Sequence, residues 1–287
     1  MKHTVICIIL VWCSLAVCGQ VTYQQEDSLT VCRLLQQAPS DAGTLWFARQ
    51  LLGRPYVAHT LEVNSEEQLV VNTRELDCTT LVETVTALTW CHQHGWQTWE
   101  RYLTVLRQLR YRQGLLQGYP SRLHYFSDWI GDKEQLRFVT EIQAPQPPFT
   151  ALQHVRVNYM SSHPQAYRAL TAHPEWVETI RHQEDSLSAL VRRYIPKSSV
   201  VNSQLLRQTV HDGDIIAITC NKKGLDIAHL GFAVWQRDGL HLLNASQLHK
   251  KVVEEPMTFY RYLQKHPSHT GIRVVRINRN HQPTNSQ

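Results

Sequence analysis

The run Ala228-His229-Leu230-Gly231-Phe232-Ala233-Val234-Trp235, then Arg237-Asp238-Gly239, then His241-Leu242-Leu243-Asn244-Ala245-Ser246, leaves the chain little choice of local structure. Two strand-length stretches rich in apolar residues flank an Asp-Gly turn signal, which is the pattern of an antiparallel β-hairpin. A lone hairpin is barely stable in water, so further strands must flank it. The sequence offers them as Ile215-Ile216-Ala217-Ile218-Thr219 before it and Ile272 to Ile277 after it. From Leu205 onward the chain therefore reads as a meander of strands.

The first half follows a different period. Ser28 to Gln37 and Asp41 to Leu52 carry apolar residues at helical spacing, and Gly53 closes the second stretch as glycine does at helix ends. Residues 20–28 are polar and read as loose, and Leu69-Val70-Val71 reads as a short strand. A helix is expected to start at Asp77-Cys78-Thr79-Thr80 and to run, with Leu81, Val82, Val85 and Leu88 on its apolar side, to about Cys91. Another follows from Trp96 to Tyr111. The stretch 112–200 is less regular. Gln143 to Phe149 reads as a turn, Val155 to Met160 as a strand, and Gln165 to Ala172, Glu175 to His182 and Asp185 to Arg193 as short helices. Helices first and antiparallel strands last make an α+β fold, helices packed on an antiparallel sheet, with a large, mostly helical insert.

A chain of 287 residues with 43% hydrophobic and 18% charged residues buries a sizeable core. The organisation expected is one domain over residues 20–287 with its insert at about 112–200. The formal charge of +5 is spread thinly without a Lys/Arg block, which argues against dedicated nucleic-acid binding and suits an anionic polymer such as cell wall. Met1-Lys2-His3-Thr4 is a short positive start, and Val5 to Cys18 is an apolar run of signal-sequence length, too short for a membrane span. Residues 1–19 thus read as a signal peptide, cut before Gln20. Leu15-Ala16-Val17-Cys18 also has the look of a lipoprotein box, although Val17 suits one poorly. The mature protein is expected to be periplasmic or secreted, without a stable membrane span.

Of seven cysteines, Cys7, Cys13 and Cys18 fall in the leader, leaving Cys32, Cys78, Cys91 and Cys220. No close pair suggests a zinc site, and four are too few for a disulfide scaffold. Cys78 differs from the others by its place at a helix start, where the helix dipole and free N–H groups favour a thiolate. The commoner fate of a free cysteine is still an inert buried thiol. A nucleophilic cysteine needs a base, and the base needs a third group to hold it in one tautomer. His229 and Asn244, on neighbouring strands of one hairpin, supply both types.

Leu52-Gly53-Arg54-Pro55-Tyr56, Asp77 to Val82, Asp212-Gly213-Asp214-Ile215, His229-Leu230-Gly231-Phe232-Ala233 and Leu243-Asn244-Ala245-Ser246 together resemble the NlpC-type superfamily of papain-like bacterial cell-wall hydrolases. The separation of 151 positions from Cys78 to His229 is close to a papain-like spacing. Thr73 to Glu83, Tyr125 to Trp129, Asn158 to Pro164 and Gly224 to Gly231 further resemble its secreted N-acetylmuramoyl-L-alanine amidases. The resemblance implies a papain-like NlpC-type fold and hydrolysis of the amide joining muramic acid to the first stem alanine, with soluble muropeptides as substrate and no metal or organic cofactor. It implies Cys78 as nucleophile, His229 as base, Asn244 as the third polar residue and Tyr56 beside the cysteine. Arg122, Tyr125, Ser127 and Asp128 are the expected substrate contacts, with Asp128 suited to a free amine and Arg122 to a carboxylate. The long Tyr56–Cys78 link and the insert depart from the superfamily pattern. Three alternatives stay open: an endopeptidase cutting the stem between D-glutamate and the diamino acid, a non-catalytic wall-binding protein, and a thiol redox protein.

Overall fold

The computed structural model describes residues 21–279, so the leader expected over residues 1–19 lies outside the described residues. The chain opens with β1 (Val21–Thr22), α1 (Gln25–Gln37), α2 (Thr44–Arg49), β2 (Leu69–Val70), α3 (Cys78–Gln93) and α4 (Trp99–Arg110). Residues 21–28 are not loose. β1 pairs in parallel with β2, and α1 begins early because Gln24 and Asp27 close a reciprocal cap. Then come α5 (Phe126–Gln135), β3 (Val139–Ile142), β4 (Ala151–His154), α6 (Tyr159–Ser162), α7 (Arg168–Ala172), α8 (Trp176–Leu187) and β5 (Val191–Pro196). The last part holds α9 (Gln204–Thr209), β6 (Ile215–Cys220), β7 (Ile227–Trp235), β8 (Leu240–Ser246), β9 (Lys251–Glu254), α10 (Phe259–Gln264) and β10 (His269–Ile277).

The architecture is mixed α+β. β6, β7, β8 and β9 follow one another as antiparallel neighbours, and β10 returns to pair with β6. The meander expected from the sequence is therefore the centre of an eight-stranded sheet. The insert carries more helix than strand, as expected, but it does not stand apart from the sheet. Its strands β3 and β5 both pair with β10, and β4 pairs with β5, so it extends the main sheet. Val191 to Arg193 leave the expected helix for this reason: their backbone bonds go to β4, and a sheet partner outweighs a weak local helix preference.

Both faces of the central strands are buried, which explains their unbroken apolar runs. Ile215 and Ala217 of β6, Phe232 and Val234 of β7, and Leu243 and Ala245 of β8 pack with α3 residues Leu81, Val82, Val85 and Leu88. Ile216, Ile218, Ala233 and Leu242 face the other way, onto Leu206 of α9 and Phe259 and Leu263 of α10. The period of two in the strands thus divides one run between two cores. A third, smaller cluster lies within the insert, with Tyr125, Val157, Met160, Leu170 and Ile180. This cluster forms the wall that faces the start of α3 across a cleft. Among the described residues no helix is long and apolar enough to cross a membrane.

Candidate active site

Cys78 is the first residue of α3, as its sequence context indicates, and the reason is local. Asp77 caps the helix. Its Oδ1 accepts from the Thr80 N–H at 2.8 Å, while its own N–H donates to Thr80 Oγ1 at 2.9 Å. Asp77 and Thr80 thereby satisfy each other at the helix start. The segment holding Tyr56 is fixed alongside: the Leu76 N–H donates to the Pro55 carbonyl at 3.0 Å and the Val57 N–H to the Leu76 carbonyl at 3.2 Å. Tyr56 lies near enough that the Cys78 and Asp77 charges, after burial, push its phenol pKa up.

His229 and Asn244 come from the hairpin. The register that sets Phe232 opposite Leu243 makes them diagonal neighbours on one face, and His229 Nε2 lies 2.9 Å from Asn244 Oδ1. Cys78 and His229 line the same cleft of about 200 Å³, with Tyr125, Met160, Tyr167 and Asp226 on its other sides. The Leu230 N–H, one residue beyond His229, lies within hydrogen-bond reach of the Cys78 sulfur, as do the N–H and hydroxyl of Thr79.

The surroundings of Cys78 work against a resting thiolate. Part of Cys78 is open to the cleft, but its sulfur is enclosed. Burial, with the Asp77 carboxylate adding to it, pushes the thiol up to about 12 from 9.0. A helix terminus contributes about 0.3–1 kcal/mol against about 1.4 kcal/mol per tenfold change in ionisation, so it cannot offset such a shift. Burial also holds His229 below its ordinary value, against the opposing effects of Asn244, Glu255 and Asp77. Both shifts favour a neutral thiol beside a neutral imidazole.

The other expected residues separate. Tyr125 lines the cleft, and its hydroxyl donates to Glu184 Oε1 at 2.6 Å while accepting from the Met160 N–H at 3.2 Å. The remaining three are not brought to the thiol. Arg122 is buried with its guanidinium 2.7 Å from Glu62, in a separate pocket of about 150 Å³ walled by Trp176 and Glu67. Asp128 is gripped by both Arg112 nitrogens at 2.8 and 2.6 Å, so its charge is already met. Ser127 is buried, its Oγ accepting from Arg273 at 2.7 Å and its N–H donating to Asp226 at 2.7 Å. All four cysteines of the described chain are free. Cys78 and Cys91 begin and end most of one helix, about 20 Å apart at 1.5 Å per residue, too far for a bridge.

Two residues near the site escape sequence reasoning. Asp226, buried at the cleft edge, accepts from the N–H groups of Ser127 and Ile227. Glu255, also buried, accepts from Asn244 Nδ2 at 3.1 Å. Nothing in the Glu254-Glu255 pair tells which one turns inward. Glu254 ends on the surface against Arg49 at 2.6 Å.

A family model described as N-acetylmuramoyl-L-alanine amidase-like matches residues 46–272, a span that includes Cys78, His229, Asn244 and Glu255. The chain belongs to this AmiA-like family. A solved N-acetylmuramoyl-L-alanine amidase from Bacteroides uniformis is 40% identical with a TM-score of 0.76, covering 82% of this chain and 97% of its own. A Bacteroides fragilis protein provisionally named a xylanase is 38% identical with a TM-score of 0.75, covering 81% of this chain and 100% of its own. A Legionella pneumophila protein of the DUF1460 family shares the fold at 20% identity and a TM-score of 0.66, covering 88% of this chain and 94% of its own. No curated protein matches the chain. These matches overturn the NlpC-type, papain-like assignment, because AmiA-like is a distinct family. The misleading motifs are short pieces around a cysteine, a histidine and an asparagine. Thiol chemistry calls for those residue types in any family, so they do not discriminate between families.

Proposed function

We propose that the protein is a cysteine-dependent N-acetylmuramoyl-L-alanine amidase, acting outside the cytoplasm on soluble peptidoglycan fragments. It would hydrolyse the amide between muramic acid and the first stem alanine. The family and the named activity of the B. uniformis relative support the bond. The observation that carries the mechanism is the partly buried His229–Asn244 hydrogen bond beside the cleft that His229 and Cys78 both line.

With Nε2 of His229 engaged by Asn244, Nδ1 is the nitrogen left to take the Cys78 proton. The neutral resting pair makes that transfer simultaneous with attack on the amide carbon. The carbonyl oxygen gains negative charge as sulfur adds, and N–H groups at the start of α3 are the donors available to it. The imidazolium of His229 then gives its proton to the leaving alanine nitrogen, which departs with the stem peptide. Water, deprotonated by His229, clears the muramoyl thioester and restores the thiol. Tyr56 and Tyr125 would border the bound substrate.

The xylanase name of one relative points to glycoside hydrolysis, which uses two facing carboxyl groups. Among the described residues Asp226 is the one carboxylate lining the cleft, so the site does not favour that reading. The test is mass spectrometry of purified muropeptides after incubation with wild type and Cys78→Ala. Intact stem peptide and free sugar released by wild type alone would support the amidase. Cleavage inside the stem would move the bond, and no cleavage by a wild type with free Cys78 would sink the hydrolase.

A further inference from the structure

We propose that Glu255 sets the tautomer of His229, acting through Asn244, and is a positioning residue of the catalytic unit. The inference rests on the Cys78–His229–Asn244 reading above. Asn244 is fully buried and Glu255 is 1% exposed, so water does not select their hydrogen-bond partners. Glu255 accepts hydrogen bonds at three points. Its carbonyl accepts from His241 Nδ1 at 2.8 Å, Oε1 accepts from Asn244 Nδ2 at 3.1 Å, and Oε2 accepts from His249 Nε2 at 3.1 Å.

The order of donors follows from the carboxylate. An ionised carboxylate has no hydrogen to give, so Asn244 must turn its NH₂ towards Glu255. That leaves Oδ1, which can only accept, facing His229 at 2.9 Å. Nε2 of His229 must then carry the proton, and Nδ1 must hold the lone pair. An asparagine alone could not enforce this, because its two ends are nearly the same size and an inverted amide fits the same space. Inverted, Asn244 would donate to Nε2, put the proton on Nδ1 and remove the base. Glu255 excludes that arrangement. Its charge also lies one amide away from the imidazolium that forms when the thiol proton is taken. His249, half-buried, occupies the second carboxylate oxygen, so Glu255 cannot swing away from Asn244 without losing a partner.

The test is ¹⁵N NMR of histidine-labelled protein, wild type and the isosteric Glu255→Gln, with His229→Gln to assign the signal. A glutamine side chain can present either an oxygen or an NH₂ to Asn244, so it no longer dictates the order. The expected result is an Nε2–H imidazole at His229 in wild type and a mixture with Nδ1–H in Glu255→Gln. On muropeptide, kcat should fall about 10- to 100-fold with KM within about threefold, as when an outer partner of a histidine is lost, and Glu255→Asp should recover part of it. An Nδ1–H imidazole in wild type, or a Glu255→Gln protein with unchanged tautomer and kcat within about twofold, would overturn the proposal. The NMR readout needs no substrate. An inactive wild type would therefore sink the amidase reading without deciding the role of Glu255, which the spectra decide separately.

Discussion

Arg110 and Glu83 form an ion pair sealed beneath the helix that Cys78 begins. Arg110 Nε donates to Glu83 Oε2 at 2.7 Å, both side chains are about 3% exposed, and a second guanidinium nitrogen donates to the Val70 carbonyl. The pair fastens α3 to α4 and both to β2. It lies on the face of α3 away from the sheet, so the helix is gripped from two sides.

Removing one partner should be costly. Arg110→Ala leaves a buried carboxylate without a counter-charge, which typically costs about 3–5 kcal/mol. The urea midpoint should fall accordingly, while the double variant Glu83→Leu with Arg110→Leu should recover much of the loss, since no unpaired charge remains. A double variant no more stable than Arg110→Ala would contradict this account.

The acid limb of the rate profile should lie low. On the proposed mechanism His229 must be neutral to take the thiol proton, so kcat/KM should rise with pH through the imidazole pKa. Burial holds that pKa below the ordinary 6.5, and the limb should therefore be half-complete below pH 6.5. The Asn244 hydrogen bond favours the charged ring, so Asn244→Ala should move the limb further down as well as lower kcat, by about 10²–10⁴-fold. A limb above pH 6.5 in wild type would mean that the ring meets more negative charge than burial can offset.

Alkylation reports the thiol directly. With Cys78 pushed up to about 12, its rate with iodoacetamide should still be climbing past pH 9, where an ordinary thiol at 9.0 is already levelling off. A plateau below pH 8, read by mass spectrometry of the Cys78 peptide, would instead indicate a preformed thiolate.

What could be read from the sequence divides by distance along the chain. The start of α3 was legible because Asp77 and Thr80 are three residues apart and cap each other. The hairpin was legible because Asp238-Gly239 and the apolar runs are contiguous, and it brought His229 to Asn244. Arg122 and Asp128 looked free because their partners lie elsewhere: Glu62 is 60 residues from Arg122, and Arg112 reaches back 16 residues from Asp128. The Arg273–Ser127 bond spans 146 residues and left no local trace. The family was misjudged for the converse reason, since local chemistry was all the motifs contained.

Gly231 offers a test of whether the hairpin spacing matters to the site beyond stability. A Cβ there would meet the Leu243 carbonyl oxygen at 2.7 Å and Leu242 Cδ1 at 2.8 Å. The first contact is backbone, so β7 and β8 must spread to admit a methyl group, at a cost of about 1–3 kcal/mol. Gly231 is two residues from His229, and the register that pairs Phe232 with Leu243, continued by one step, sets it opposite Asn244. Spreading the strands there lengthens the His229–Asn244 bond, which weakens steeply beyond normal range. Gly271→Ala is the control, because its Cβ would run into the Ile195 carbonyl oxygen on the β5 side of the sheet, away from the hairpin. Both variants should lower the melting temperature, Gly271→Ala at least as much. Measured on protein that is still folded, Gly231→Ala should lose about tenfold or more in kcat, and Gly271→Ala should stay within about threefold of wild type. Equal losses per degree of melting would mean that activity follows global stability, and that the spacing of this strand pair has no separate hold on the base.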